Sequence, residues 1–83
     1  MTPSDIHQLI ATGMPDALIE VTGPDNVHFE ARVVCASFIG KLPLARHRLV
    51  YACLGSKMGQ EIHALSLKTL TPAEAAAQSA QAQ

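Results

Sequence analysis

The sequence predicts an α+β fold in which a three-stranded mixed sheet is covered on one face by helices. Two observations indicate this fold. Two strand-like runs follow one another across a short turn, and a third run comes only after a long connection that carries a helix. A short turn favours an antiparallel hairpin, whereas a long helical connection permits a parallel neighbour. The 83 residues give room for one small domain.

Residues 2–15 predict the first helix. A hydroxyl residue and a proline open it, as is typical of a helix start, and Gly13 ends it. Between them, apolar residues recur at helical spacing, which predicts one buried face. These residues are Ile6, Leu9 and Ile10.

Residues 17–22 and 27–35 predict two strands of a hairpin. The connection, residues 23–26, reads Gly-Pro-Asp-Asn and is typical of a turn. In the second strand apolar and polar residues alternate, so one face should point to the core and the other, with His28, away from it. The apolar face consists of Val27, Phe29, Ala31, Val33 and Cys35.

Residues 38–55 predict a turn followed by the central helix. Gly40 can supply the backbone angle of the turn, Pro43 suits the first helical turn, and Gly55 is a natural stop. An apolar stripe at helical spacing predicts the buried face of this helix. It consists of Leu49, Val50, Cys53 and Leu54.

Residues 61–69 predict the third strand, and a last helix follows it. Thr71 and Glu74 stand three residues apart, which is the spacing of a capping box. The Ala/Gln-rich residues 75–83 carry no apolar stripe, so they are expected to fray. We therefore expect a single domain over residues 1–74 and a frayed tail over residues 75–83.

The composition excludes several function classes. A formal net charge of −1 argues against a general electrostatic grip on nucleic acid but leaves a local basic patch open. No run approaches the roughly 20 apolar residues of a membrane span. The start lacks the basic and apolar regions of a signal peptide, so we expect a cytoplasmic protein with no membrane partner.

The sequence also favours a protein that is not an enzyme. It shows no Ser/His/Asp set in a motif context, no paired carboxylates and no glycine-rich cofactor fingerprint. Cys35 and Cys53 are not in a Cys-x-x-Cys arrangement and fall in apolar stretches, so we interpret them as small buried hydrophobic residues.

The histidines, at positions 7, 28, 47 and 63, match no local metal motif. If the second and third strands are parallel neighbours, however, His28 and His63 both lie near strand beginnings, at the same end of the sheet. Strand alternation places them on opposite faces. Their convergence therefore requires His28 to precede regular pairing or the sheet to twist strongly. Two imidazoles can hold one iron of an iron–sulfur cluster, but the remaining ligands must come from elsewhere.

The segment from Lys41 to Arg48 admits two readings. Lys41, Arg46, His47 and Arg48 could contact nucleic-acid phosphates or a protein partner, or they could simply form a solvated helix start. The turn has no second glycine, which weakens the single-strand clamping typical of KH domains. Phosphate binding at the helix N-terminus stays open.

Several motifs, in order and spacing, resemble the BolA family. They are Phe38-x-Gly40-Lys41, the segment Arg-His-Arg-Leu-Val-Tyr at residues 46–51, and Ile-His-Ala-Leu-Ser-Leu-Lys-Thr-Leu-Thr-Pro at residues 62–72. The upstream Val27-His28-Phe29 is similar to the branch of the family with a histidine before the aromatic residue of its second strand. The resemblance covers roughly residues 6–74. It implies an αββαβ(α) arrangement similar to a class II KH domain.

The resemblance also implies a function. BolA-like proteins pair with monothiol glutaredoxins and share a [2Fe-2S] cluster, for which the glutaredoxin cysteine and glutathione provide sulfur ligands. His63 matches the family's near-invariant histidine, and His28 matches the second ligand position of its own branch. The expected function is thus a non-enzymatic iron–sulfur adaptor in cluster trafficking or iron homeostasis. The alternative is a DNA-binding transcriptional regulator that uses the basic turn and helix of residues 41–48.

Overall fold

A three-stranded sheet organises the chain. We describe a computed structural model, which covers residues 1–81. Short 3-10 turns, Ala36–Phe38 and Gly55–Lys57, flank the central helix. The helices and strands are α1 Pro3–Gly13, β1 Leu18–Thr22, β2 His28–Val34, α2 Pro43–Leu54, β3 Ala64–Leu70 and α3 Pro72–Gln81.

The sheet has the order β1-β2-β3. The hairpin strands β1 and β2 are antiparallel, with Leu18 opposite Val34. Strands β2 and β3 are parallel, with His28 opposite Ala64 and Val34 opposite Leu70. The predicted fold class, a mixed α+β sheet in αββαβ(α) order, is confirmed.

The core lies between the sheet and the helices α1 and α2. Alternate residues of β2 share one face, and Phe29, Ala31 and Val33 of that face, with Cys35 just after the strand, are almost fully buried, as predicted. The prediction was wrong for Val27, which precedes the strand and is exposed. The apolar stripes of α1 and α2 pack into the same cluster, and so does Phe38 of the first 3-10 turn. These residues are Ile6, Ile10, Phe38, Val50 and Leu54.

Local chemistry sets the helix ends. The hydroxyl of Thr2 accepts from the backbone N–H of Asp5, whose carboxylate accepts in return from the N–H of Thr2. Thr71 and Glu74 form the same reciprocal box at α3. Gly55 ends α2 with a φ of 56°, a conformation that glycine adopts without steric cost.

The first two helices approach one another closely near the ends of α1 and α2. A Cβ built on Gly13 would lie 2.5 Å from the Sγ of Cys53, so only glycine fits without a shift. Cys53 is half-buried and Cys35 is buried, and both are free thiols. The interpretation as a buried hydrophobic residue agrees with the position of Cys35, and Cys53 is only partly buried.

The third strand begins at Ala64 rather than at the predicted residue 61. The backbone N–H groups of Gln60, Glu61 and Ile62 donate to the carbonyl of Lys57, at 3.2, 2.9 and 2.9 Å. Because these N–H groups donate within the local turn, they are not available to pair with β2, and β3 begins later than predicted.

The last helix runs to Gln81, the end of the described residues. Fraying of residues 75–83 stays a prediction, and residues 82–83 lie outside the part of the chain described. Within residues 1–81, none of the helices has both the length and the apolar character needed to cross a bilayer.

Candidate functional site

The starts of β2 and β3 form one rim of the sheet, because the two strands are parallel. His28 is the first residue of β2, and its register partner is Ala64, the first residue of β3. His63 directly precedes Ala64. Neighbouring strands lie about 5 Å apart, so the fold brings the backbones of the two predicted ligand residues to one place. Both residues are exposed.

The expected conflict between strand faces concerns the direction of His63, because that of His28 is set by the strand. His28 already belongs to the paired strand, on the face opposite Phe29. His63 lies between an isolated bridge at Ile62 and the first residue of β3, so strand alternation does not fix its direction. Whether the two rings meet on one iron stays a prediction.

The loop before β2 holds His28 in place through Asp25. One carboxylate oxygen of Asp25, Oδ1, accepts from the backbone N–H groups of Val27 and His28, both at 2.9 Å. The other, Oδ2, lies 2.8 Å from the Nδ1 of His28. The hydrogen bonds from the His28 ring, then from the backbone N–H groups of His28 and Val27, hold the pKa of Asp25 well below its usual range.

This loop leaves the hairpin close to the core. Gly23 is buried against the ring of Phe29, and a Cβ in its place would lie 2.5 Å from the Cδ1 of that ring. The backbone N–H of Asn26 then donates to the carbonyl of Gly23 at 3.1 Å and closes the turn. The turn that carries Asp25 is therefore packed against the core next to His28.

A second loop positions His63. The side chain of Ile62 is fully buried and anchors the backbone immediately before His63. The N–H of Gly59 donates to the carbonyl of Ile62 at 2.8 Å, and the Nζ of Lys57 lies 2.9 Å from the Oε1 of Glu61. With its predecessor in the core, His63 is presented outward at the rim.

The donors at this rim fit one half of a cluster site. An unprotonated imidazole nitrogen is an iron ligand, and two imidazoles can serve one iron of a [2Fe-2S] centre. Cys35 follows the far end of β2, and Cys53 lies in α2, so no thiol stands at the rim. Among residues 1–81, no three or more His, Cys, Asp or Glu side chains are grouped to hold a metal ion.

Arg46, predicted as a contact residue, makes its contacts within the protein. Its side chain is only 12% exposed. The Nε donates to the carbonyl of Lys41 at 2.7 Å, and Nη1 donates to the carbonyl of Thr69 at 3.3 Å and to the Oε1 of Glu74 at 2.6 Å. The guanidinium carbon also lies 6.0 Å from the centre of the Phe38 ring. A phosphate would have to compete with these partners.

The other predicted contact residues of this segment differ in their surroundings. His47 is half-buried, and its ring meets that of Tyr51 edge to face, with centroids 6.5 Å apart. Lys41 and Arg48 are exposed and, within the described residues, belong to no ion pair. Lys41 and Arg48 are thus the cations of the segment that face solvent.

Charge is segregated along the chain. Residues 31–60 contain five of the six Lys and Arg residues and none of the seven Asp and Glu residues. The carboxylate of Asp25 lies instead beside His28, at the rim of the sheet. In space, however, Arg32, Arg46 and Lys57 pair with Glu20, Glu74 and Glu61, so the cations left without a described ion pair in residues 31–60 are Lys41 and Arg48.

Sequence reasoning missed the roles of Asp25 and of the Arg46–Glu74 pair. An Asp in a turn three residues before a strand histidine is a local signal that could have indicated the first. The second joins residues 28 positions apart and has no local signal.

Fold and site together define a small α+β module that presents two histidines at the rim of a mixed sheet. The family model for BolA, described as BolA-like protein, matches residues 5–74, and the chain belongs to this family.

Relatives and solved structures agree with this assignment. Human BolA-like protein 1 is 47% identical over 49 residues, which is 59% of this chain and 36% of that protein. The DNA-binding transcriptional regulator BolA of Vibrio cholerae is 45% identical over 47 residues, which is 57% of this chain and 44% of that protein. The structure of a BolA protein homologue from Coxiella burnetii matches with a TM-score of 0.82 and 51% identity, over 92% of this chain and 97% of that one.

Proposed function

We propose that this chain is a non-enzymatic adaptor that shares a [2Fe-2S] cluster with a monothiol glutaredoxin, in cluster trafficking or iron homeostasis. The observation that carries the proposal is the placement of two exposed histidines, His28 and His63, at adjacent strand starts. Membership of the BolA family supports it, because such sharing is what the family resemblance implies.

Ligand chemistry explains why the adaptor needs a partner. The rim offers imidazoles but no thiol, so the sulfur ligands of a shared cluster would come from the glutaredoxin cysteine and from glutathione. The chain's own part is to present two unprotonated ring nitrogens on a fixed backbone. An open rim also leaves space for the second protein to dock. A half-site of this kind suits a cluster that is passed on rather than kept.

The test is to mix the protein with a monothiol glutaredoxin, glutathione, iron and sulfide and to record the visible absorption and circular dichroism spectra. A heterodimer with spectra distinct from those of the glutaredoxin alone is expected. The matched control omits the thiol protein. Efficient cluster assembly on the isolated chain would contradict the shared-ligand arrangement, and so would spectra identical to those of glutaredoxin alone.

A DNA-binding regulator is the second candidate, favoured by the basic turn and helix start of residues 41–48, where Lys41 and Arg48 are exposed. Direct binding would rest on the exposed Lys41 and Arg48, because Arg46 is held internally. Lys41→Ala and Arg48→Ala should each reduce the slope of log affinity against log salt by about 1. Lys68→Ala, on the sheet, is the matched control. Binding that is negligible near physiological salt would remove this candidate.

A further inference from the structure

The contact between Asp25 and His28 does more than close a turn. A turn of this kind needs only one carboxylate oxygen to receive backbone N–H groups, and Oδ1 fills that role for Val27 and His28. The second oxygen, Oδ2, is left over and is directed at the Nδ1 of the His28 ring, 2.8 Å away. The side chain of Asp25 thus holds the backbone and the ring of the same residue.

The chemistry of this contact fixes which ring nitrogen carries the proton. Asp25 is exposed, and an exposed carboxyl group is ionised near neutral pH, so it can only accept a hydrogen bond. The Nδ1 of His28 must therefore be the donor. In a neutral imidazole only one nitrogen is protonated, and the other, Nε2, keeps its lone pair.

We infer that Asp25 is the positioning residue of the cluster site and that it fixes His28 as the Nδ1–H tautomer, so that iron is met by Nε2. The inference rests on the proposed function for the identity of the metal, but not for the tautomer. It follows the general rule that ligating histidines donate their other N–H to a carboxylate or a carbonyl. His63 makes no side-chain hydrogen bond with residues 1–81, so the two ligands are held differently.

The change that tests this inference is Asp25→Asn. An asparagine of the same size can still accept the two backbone N–H groups through its oxygen. Its amide nitrogen, however, can only donate to the ring, so Nδ1 would become the acceptor and the proton would move to Nε2. A protonated Nε2 cannot ligate. Asp16→Asn is the matched control, because Asp16 is another exposed loop carboxylate and loses the same charge.

The first measurement needs no cluster. The ring nitrogens of the 15N-labelled protein are observed by two-bond proton–nitrogen NMR. The pH is set well above roughly 6.5, the ordinary pKa of histidine, so that the rings are neutral. His28 should be the Nδ1–H tautomer in the wild type and in Asp16→Asn, and the Nε2–H tautomer in Asp25→Asn. A wild-type ring protonated at Nε2, or a tautomer indifferent to Asp25→Asn, would overturn the inference.

The second measurement uses the glutaredoxin complex. Asp25→Asn should weaken cluster retention by about tenfold to a hundredfold, the usual effect of removing a partner of a metal ligand, and Asp16→Asn should not. If Asp25→Asn retains the cluster as well as the wild type does, the positioning role is overturned while the adaptor function stands. If the wild type forms no shared cluster, the proposed function fails instead, and the NMR result still decides how Asp25 holds His28.

Discussion

The guanidinium of Arg46 lies across the carboxylate of Glu74, with Nη1 2.6 Å from Oε1 and Nη2 3.4 Å from Oε2. The pair joins the start of α2 to the first turn of α3. Oε1 of Glu74 also accepts from the backbone N–H of Thr71 at 2.8 Å, so the ion pair and the helix cap share one oxygen. The basic segment is therefore part of the framework of the fold as well as a candidate surface.

Arg46→Met should lower the free energy of unfolding by about 2 kcal/mol. Methionine can replace the stem of the arginine, but the carbonyls of Lys41 and Thr69 lose a charged donor, and such hydrogen bonds contribute in this range. Urea unfolding followed by circular dichroism measures the change. Arg48→Met, at an exposed position, should stay within about 0.5 kcal/mol. Equal losses for both variants would show that the internal contacts of Arg46 contribute no stability.

Acid should weaken the contact at Glu74. The hydrogen bond from the Arg46 side chain, followed by that from the backbone N–H of Thr71, lowers the pKa of Glu74 below its ordinary value. A carboxyl with a depressed folded pKa stabilises the protein fully above its ordinary pKa, and this contribution disappears as the pH falls through the folded pKa. The stability difference between wild type and Glu74→Gln should therefore shrink on acidification.

The difference is measured from the urea unfolding midpoints of the two proteins at a series of pH values that spans the titration of carboxyl groups. The other carboxylates with lowered pKa values, Asp5 and Asp25, are present in both proteins, so their contributions cancel. A difference that is constant with pH, or that widens in acid, would contradict the link between Glu74 and Arg46.

Much of the fold could be predicted because the decisive signals are local. Alternation in residues 27–35 indicated which face of β2 is buried, and the burial of Phe29, Ala31 and Val33 agrees. The Thr71 and Glu74 spacing indicated the cap of α3. The long helical connection permitted the parallel pairing that brings His28 and His63 to one rim.

The features that could not be predicted depend on contacts between distant parts of the chain. The internal role of Arg46 requires Thr69 and Glu74, which follow it by more than twenty positions. The late start of β3 depends on one carbonyl, that of Lys57, which takes up three N–H groups. Neither secondary-structure propensity nor the alternation of apolar residues can predict such competition for backbone hydrogen bonds.

The approach of α1 to α2 gives another prediction. An alanine normally stabilises a helix relative to glycine, by roughly 0.5–1 kcal/mol. At residue 13 its Cβ would lie 2.5 Å from the Sγ of Cys53, so Gly13→Ala should instead destabilise the protein by about 1–3 kcal/mol. Thermal and urea unfolding measure the sign.

The matched control for this change is the double variant Gly13→Ala with Cys53→Ala. Removal of the sulfur opens space for the new methyl group, so the double variant should recover most of the cost relative to Cys53→Ala alone. A Gly13→Ala variant as stable as the wild type would mean that the two helices separate at little cost. Additive losses would place the strain somewhere other than at Cys53.

The last prediction separates His63 from the other histidines. His63 is exposed, and its anchor in the core is the neighbouring Ile62. His63→Ala should therefore leave the fold intact and abolish the spectrum of the cluster shared with glutaredoxin. His28→Ala should have a similar but smaller effect, because water can substitute at an open rim. His7→Ala, at an exposed position on α1, is the control and should change nothing.

His47→Ala tests a different role, because its ring packs against Tyr51 rather than at the rim. It should alter docking or stability and leave the spectrum of any cluster that forms unchanged. Far-ultraviolet circular dichroism of each variant, recorded before the glutaredoxin is added, separates folding from ligation. If His63→Ala unfolds the domain, His63 is a structural residue. If the variant folds and its shared cluster has an unchanged spectrum, His63 is not a ligand, and the ligand assignment at this rim is wrong.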